Sequence, residues 1–275
     1  MNLPIVHIFL ATYNRAHLIG ETLDTILAQT HTQWMCIIID DNSTDETEDF
    51  VLANYVAKDS RFVFLKKDLN KYKKGLAATR NMSLDLAKEM GVKYIQFFDD
   101  DDIMHPQKMA LQMAPFIEND ALHMTLCKYR TFDENLYYDF DLARCEDYST
   151  TIFSSNLFWD FYAGKINLNS LGPIWKMDFI GKCKFDERLK TGEERDFYLR
   201  LFFNEKVNYH PVDFILFWYR KHEITVTKTK TISTIESIQS LKILRQKTRK
   251  MIFMSNNVNL RKRIVAFWMY LKDIV

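Results

Sequence analysis

Hydrophobic positions along this chain fall into two alternating rhythms. Ile5–Ala11, Met35–Ile39, Arg61–Lys66 and Lys93–Phe98 are apolar runs of strand length. Between them lie stretches with apolar residues at three- and four-residue spacing, as at Leu18, Thr22, Ile26 and Leu27 within His17–Gln29. That spacing predicts amphipathic helices, and the continuous runs predict strands covered on both faces. Further helices are predicted from Thr44 or Asp45 to about Ala57, over Leu76–Met90, and from Pro106 to about Glu118. Four strand–helix repeats imply a mainly parallel sheet flanked by helices, with ligands bound beyond the carboxyl ends of the strands.

After residue 120 the rhythm changes. Thr125–Thr131 and Leu136–Asp141 flank Phe132–Asp133–Glu134–Asn135 and predict a hairpin or strand pair. Residues 145–172 are irregular and rich in aromatics, including Phe153, Phe158, Trp159, Phe161 and Tyr162, and read as core cover or as the wall of an acceptor pocket. Glu193–Phe203 predicts a helix, Val207–Tyr219 one or two strands, and the chain from Thr231 is helical again.

Composition adds limits. The 275 residues are 47% hydrophobic, and seven Gly with five Pro argue against long flexible linkers. No run approaches the ~18 apolar residues of a membrane helix, and Met1–Asn2–Leu3–Pro4 lacks the pattern of a secretion signal. Cys36, Cys127, Cys145 and Cys183 form no CxxC pair, so neither zinc nor a disulfide framework is expected, and a cytoplasmic setting is. From Lys221 onward 12 Lys/Arg face three Asp/Glu, a balance of +9, which leaves −8 for residues 1–220. A basic tail on an acidic body suggests a separate anionic partner for the tail.

Three polar motifs sit at predicted strand ends: Thr12–Arg15, Asp40–Asp45 and Asp99–Asp100–Asp101–Asp102. Four adjacent carboxylates repel one another unless a cation lies among them. Hard oxygen ligands suit Mg²⁺ or Mn²⁺, ions commonly shared with substrate phosphates.

Together these motifs resemble family 2 glycosyltransferases of the GT-A fold. The resemblance is carried by Ala11–Thr12–Tyr13–Asn14–Arg15, by Ile39–Asp40–Asp41–Asn42–Ser43–Thr44–Asp45, and by Gly75–Leu76–Ala77–Ala78–Thr79–Arg80–Asn81. Asp99–Asp102 followed by Pro106, and Gly192–Glu193–Glu194–Arg195–Asp196, complete it. It spans roughly residues 3–222. It implies an α/β GT-A domain over 1–222, with a nucleotide-binding half at 1–119 and an acceptor-binding half at 120–222. A basic helical extension at 223–275 follows. The implied activity is metal-dependent, inverting transfer of a sugar from a nucleotide-diphosphate donor, by family habit a UDP-sugar, to a hydroxyl of a glycan or lipid-linked acceptor. Bacterial surface polysaccharide or lipooligosaccharide synthesis is the implied setting.

Position by position, the resemblance places Asp41 at the nucleobase edge and Tyr13 against the base. Ala11 and Arg15 line the nucleotide pocket, Arg80 approaches the nucleotide or donor, and Asp99 lies near the ribose. Asp100 fills the variable position of the Asp-x-Asp motif, Asp101 ligates Mn²⁺ or Mg²⁺, and Asp102 supports the donor sugar or the helix start. His222, after the last strand, is a candidate for the metal or diphosphate, with Arg220 beside it. Glu194 stands where the family usually has Asp and is the candidate base, with Glu193 and Asp196 as rivals; helical spacing puts 193 and 196 on one face. Lys73–Lys74 reads as a solvated pair or a phosphate contact.

In the tail, Ile235, Ile238, Leu241 and Ile252 lie among Lys242, Arg245, Lys247, Arg249 and Lys250. This reads as an interfacial helix on an anionic membrane, peripheral on its inner face, or as a helix packed on the domain or on a second copy in a homodimer. Nucleic acid is not an expected partner, because the body is acidic and carries no motif for it. Two other functions compete. A sugar-phosphate nucleotidyltransferase would need a glycine-rich loop after the first strand, and Ala11–Arg15 has none. A non-catalytic sugar-nucleotide binder is argued against by the intact Asp101 and the acid at 194.

Overall fold

The structure, a computed structural model, describes residues 3–133, 138–142, 151–204, 206–221 and 234–266. Four apolar segments form the strands β1 (Val6–Thr12), β2 (Trp34–Asp40), β3 (Phe62–Lys66) and β4 (Tyr94–Asp99), mutually parallel in the order β3-β2-β1-β4. Helices α1 (Ile19–Leu27), α2 (Thr47–Val51, continued to Val56 by a wider π turn) and α3 (Leu76–Glu89) alternate with them. Ile8, Leu10, Ile37, Ile38, Ile39, Phe97 and Phe98 are buried on both sheet faces, as the continuous apolar runs require. Burial of each such side chain contributes about 1.5–3 kcal/mol.

The second half extends the same sheet in mixed direction. A two-residue strand β5 (Ile103–Met104) and helix α4 (Lys108–Glu118) lead into β6 (Met124–Phe132). Helix α5 (Leu157–Tyr162), strand β7 (Pro173–Lys176), a short helix α6 (Met177–Ile180), helix α7 (Glu193–Asn204) and strand β8 (Tyr209–Arg220) follow. The eight strands run β3-β2-β1-β4-β7-β6-β8-β5, with β7 antiparallel to β4 and β6, and β8 parallel to β6 but antiparallel to β5.

Two local expectations change. The strand expected at 125–131 finds its partners in β7 and β8; residues 138–140 form no strand, and 134–137 lie outside the described residues. Strand-forming residues on either side of a turn do not by themselves specify which neighbour each strand pairs with. The aromatic segment serves the core: Phe158 and Phe161 are buried with Trp175, Phe197, Tyr198 and Phe202, while Phe153 remains exposed.

Helix α8 (Thr234–Met254) and a helical segment at 260–266 pack on this body. Ile252 and Ala266 are buried in the same cluster as Phe197 and Phe202, and the Lys262 ammonium lies 3.9 Å from the centre of the Trp159 ring. Cys36, Cys127 and Cys183 are free thiols; Cys145 lies outside the described residues.

Candidate active site

The carboxyl ends of β1, β2 and β4 form one wall. Two loops are stitched together there before any ligand arrives. Asn14, in the left-handed conformation that asparagine tolerates (φ 53°), donates its backbone N–H to Ser43 Oγ at 2.8 Å, and its side-chain oxygen accepts from Thr44 N at 2.8 Å. The Arg15 and Ala16 amides donate to Thr47 Oγ1 (2.8 Å) and Asp45 Oδ2 (3.2 Å). Asp40, wholly buried, accepts from Ser43 N at 2.9 Å. These bonds pre-set the pocket between the loops after β1 and β2.

Asp41 faces that pocket from the end of β2. One carboxylate oxygen accepts from the Gly75 amide at 2.6 Å; the other pairs with the Lys67 ammonium. Gly75 has φ +115° and ψ 161°, a conformation that strains any L side chain, and it lets the chain turn sharply into α3 beneath Asp41. Lys67 is buried and also donates to Thr79 Oγ1 at 3.0 Å, so Asp41 is its counter-charge. Tyr13 is exposed at the mouth; the Lys74 ammonium lies 4.2 Å from its ring centre and donates to its hydroxyl at 3.1 Å. Ala11 stands between Ile39 and Asp99 in the sheet register, on the pocket floor.

The four aspartates divide at the end of β4. Asp99 turns toward α3. Asp100 and Asp101 turn toward Arg15, at 3.4 Å and 3.6 Å. Asp102 is 0% exposed; one oxygen accepts from the Arg220 amide at 2.7 Å, and the other has no hydrogen-bond partner. Arg220 also donates from Nε to the Asp101 carbonyl at 2.7 Å and pairs with Glu21, so it clamps the backbone of the acidic turn. Burial pushes the acids up, against Arg80 for Asp99 and reinforced by Asp101 for Asp100: Asp99 to about 6 and Asp100 to about 7. Burial raises Asp102 well above the carboxylate range, and Asp101 adds to it.

Arg80 joins this cluster to α7. It is 2% exposed and spends its guanidinium inward. Nη2 donates to Asp99 Oδ1 (3.1 Å) and Ser170 Oγ (2.8 Å); Nη1 lies 2.7 Å from Glu194 Oε1 and 3.5 Å from Glu193 Oε1. Burial pulls the guanidinium pKa down, but Glu194, Asp99 and Glu193 reverse that and raise it. Arg80 is thus a bridge between the two acidic groups, drawn away from the pocket mouth.

Glu194 is held by a residue without a motif. Ser170, fully buried, donates its hydroxyl to Glu194 Oε1 at 2.7 Å and its amide to Oε2 at 3.2 Å. Glu193 is drawn to the same guanidinium, and burial raises its pKa despite Arg80. Asp196 points the other way: it is 2% exposed and bonded to Arg200 Nε at 2.8 Å and to Lys247 Nζ at 2.7 Å. The expectation that 193 and 196 share a face therefore fails in the first turn, where the long Glu193 side chain reaches back to the buried cation.

A divalent ion fits this acidic turn. The raised acids and the Asp102 oxygen without a hydrogen-bond partner make a buried carboxylate cluster that a hard divalent cation would neutralise. Among the described residues no three His, Cys, Asp or Glu converge as a closed cage. An ion held by one or two carboxylates plus substrate phosphates needs none. His222 lies outside the described residues.

Residues 7–184, more than half the chain, match the family model for glycosyl transferase family 2. The chain belongs to glycosyltransferase family 2. It is 36% identical over 127 residues to an Escherichia coli UDP-Glc:alpha-D-GlcNAc-diphosphoundecaprenol beta-1,3-glucosyltransferase, WfaP, an alignment covering 46% of this chain and 47% of that one. The chain thus spans about half of that relative. Among solved structures, it is similar to residues 1–349 of S. aureus TarS in complex with UDP-GlcNAc. The TM-score is 0.70 at 18% identity, over 98% of this chain and 72% of that one. It is also similar to a mannosyltransferase of Pyrobaculum calidifontis in complex with GDP-Man and Mn²⁺, with a TM-score of 0.61 at 14% identity over 98% and 70%. These likenesses place the fold as GT-A, the glycosyltransferase arrangement expected above.

Proposed function

We propose that this glycosyltransferase moves a sugar from a UDP-sugar to a hydroxyl of a lipid-linked or glycan acceptor, with inversion, in bacterial surface polysaccharide synthesis. The observation that carries the reading is the bridge Asp99–Arg80–Glu194. It ties the phosphate-side acids at the end of β4 to a carboxylate on α7 across one cleft. The donor nucleotide lies along the stitched loops, its base edge on Asp41 and its ring against Tyr13, with Ala11 and Arg15 lining the pocket. Asp101, with Asp99 and Asp100 beside it, would hold Mn²⁺ or Mg²⁺. Such an ion would supply positive charge at the diphosphate leaving group without a proton transfer. Glu194 takes the proton of the acceptor hydroxyl as its oxygen bonds to the anomeric carbon and the bond to the diphosphate breaks. Burial raises the Glu193 pKa, but Glu194 has its carboxylate fixed by Ser170 and remains partly open to the cleft. UDP as nucleotide is supported by the donors named for the E. coli relative and the S. aureus neighbour, and a lipid-linked acceptor by the former.

An acceptor on a lipid gives the exposed side of α8 a use. Ile235 (66% exposed), Ile238 (59%) and Leu241 lie at three-residue spacing beside the exposed Lys242 and Arg245, while Ser240, Leu244, Thr248 and Ile252 face the body. Apolar side chains flanked by cations suit the surface of an anionic membrane, and we place the enzyme peripherally on its cytoplasmic face. No helix among the described residues is long and apolar enough to cross a membrane.

The test is a thermal-shift panel of UDP-, GDP-, CMP- and dTDP-sugars with and without Mn²⁺. A ligand of the native state raises the melting temperature. UDP-sugars with Mn²⁺ should give the largest shift; a larger shift with another nucleotide, or none with any, overturns the reading.

A further inference from the structure

Helix α8 does more than cover the body. Three of its residues grip the segment that leads into α7. Ser240 Oγ accepts from the Lys190 amide at 3.0 Å. Leu244 Cδ1 lies 3.2 Å from where a Cβ on Gly192 would sit, so it packs directly on that glycine, whose φ is +76°. Lys247 Nζ lies 2.6 Å from Asp186 Oδ2 and 2.7 Å from Asp196 Oδ1. Residues 240, 244 and 247 share one helix face. The Gly192 carbonyl in turn accepts from the Asp196 amide at 3.0 Å, closing the first turn of α7.

Both aspartates already have an arginine. Asp196 pairs with Arg200 on its own helix at 2.7 Å, and Asp186 with Arg188 at 2.7 Å. Lys247 is therefore not needed to neutralise either acid alone. What it adds is a link between two acids on different segments, anchored on a third. Glu193 and Glu194 lie between those acids in sequence, and their carboxylates meet Arg80 on the opposite side of α7.

We propose that Lys247 is a positioning residue for sugar transfer: through Asp196 and Asp186 it fixes the first turn of α7, so that Glu194 stays in register with Arg80, Ser170 and the acceptor hydroxyl. This rests on the transferase reading above. A displacement of about 1 Å at a reacting group can cost 10²-fold in rate, whereas the contacts of Ser240, Leu244 and Lys247 go to the segment 186–196 and not to the nucleotide loops after β1 and β2. The brace therefore acts on turnover and not on nucleotide binding.

The variants are Lys247→Met and Lys247→Arg in the full chain. Hydrogen exchange of the amides at 192–198 should speed up at least tenfold in Lys247→Met, with α3 amides unchanged; equal exchange in parent and variant overturns the brace. Manganese-dependent hydrolysis of UDP-glucose to glucose and UDP, with water in place of the acceptor hydroxyl, should fall at least tenfold in kcat, with UDP affinity within twofold and Lys247→Arg recovering to within threefold of the parent. Turnover within twofold of the parent, or turnover and UDP affinity falling together, overturns the positioning role. If Lys247→Met does not fold, Lys247→Gln, which keeps a donor for Asp196, is read by the same two criteria. A parent that releases no UDP from any nucleotide sugar refutes the transferase reading, while the exchange measurement still decides the brace.

Discussion

Arg80→Met removes the cation that, among the described residues, Asp99, Glu193 and Glu194 share. The guanidinium is buried and makes contacts of 2.7 Å to Glu194, 2.8 Å to Ser170 and 3.1 Å to Asp99. Hydrogen bonds to charged groups contribute about 1.5–3 kcal/mol each, yet they are not additive here, because the loss is dominated by carboxylates left buried without a counter-charge. Breaking a buried pair costs about 3–5 kcal/mol, so we expect a loss of about 4 kcal/mol at pH 8. Against a total stability of about 5–15 kcal/mol that is a large fraction, and at roughly 2–4 °C per kcal/mol it lowers Tm by roughly 10 °C. The pH dependence fixes the cause. Asp99 is already raised to about 6 and Glu193 is raised, and Arg80 holds both below where burial alone would put them. Without Arg80 their folded pKa values climb further above the unfolded ones. A carboxyl raised on folding destabilises when charged, so the variant regains stability as pH falls through those values. Urea unfolding at pH 8 and pH 5.5, with the m-value checked, reads this directly. A deficit below about 1 kcal/mol at pH 8, or one that grows on acidification, refutes the electrostatic account; Arg80→Lys, which keeps the charge but loses the fork, should fall between.

Three other outcomes are expected. Glu194→Gln should leave UDP affinity within twofold while stopping transfer, and Glu193→Gln should retain transfer; the reverse pattern in product assays would move the base to Glu193. Ser170→Ala should cost about 2–4 kcal/mol in urea unfolding, from two lost charge-assisted bonds, one donated to Glu194 and one accepted from Arg80, and should lower kcat more than it raises the donor KM. The Tm gain from Mn²⁺ should shrink between pH 8 and pH 6, because protons held by Asp99 (about 6) and Asp100 (about 7) compete with the ion; a gain that is flat or rises on acidification would place the ion elsewhere.

Much of the site was legible because its chemistry coincides with a change of rhythm. Asp99–Asp102 follows an apolar run directly, and Asp41 ends another, so strand pattern and acid cluster point to the same edge. Ser170 was not legible: it lies in an irregular stretch and gains its role only when the fold brings it 2.7 Å from Glu194. Nothing in the sequence separates Lys67 from its neighbour Lys66, yet Lys66 is exposed to Glu48 while Lys67 is buried under Asp41. Helix α3 is polar in sequence and nevertheless buried, because Thr79, Arg80 and Asn81 find partners on β3's following loop, β4 and the chain at 185–187. Strand β7 was missed because four residues beginning with proline give no periodicity; Pro173 is tolerated at the strand's first position.

The central claim is that the acidic turn at the end of β4 binds a nucleotide diphosphate through a divalent ion held by Asp101. Calorimetric titration of UDP into the parent and into Asp101→Ala, each with Mn²⁺ and with EDTA, tests it. The parent should bind UDP at least tenfold more tightly with Mn²⁺, and Asp101→Ala should lose that difference while keeping its melting temperature. Equal UDP affinity with and without Mn²⁺ in the parent, or an undiminished manganese effect in Asp101→Ala, would contradict the account.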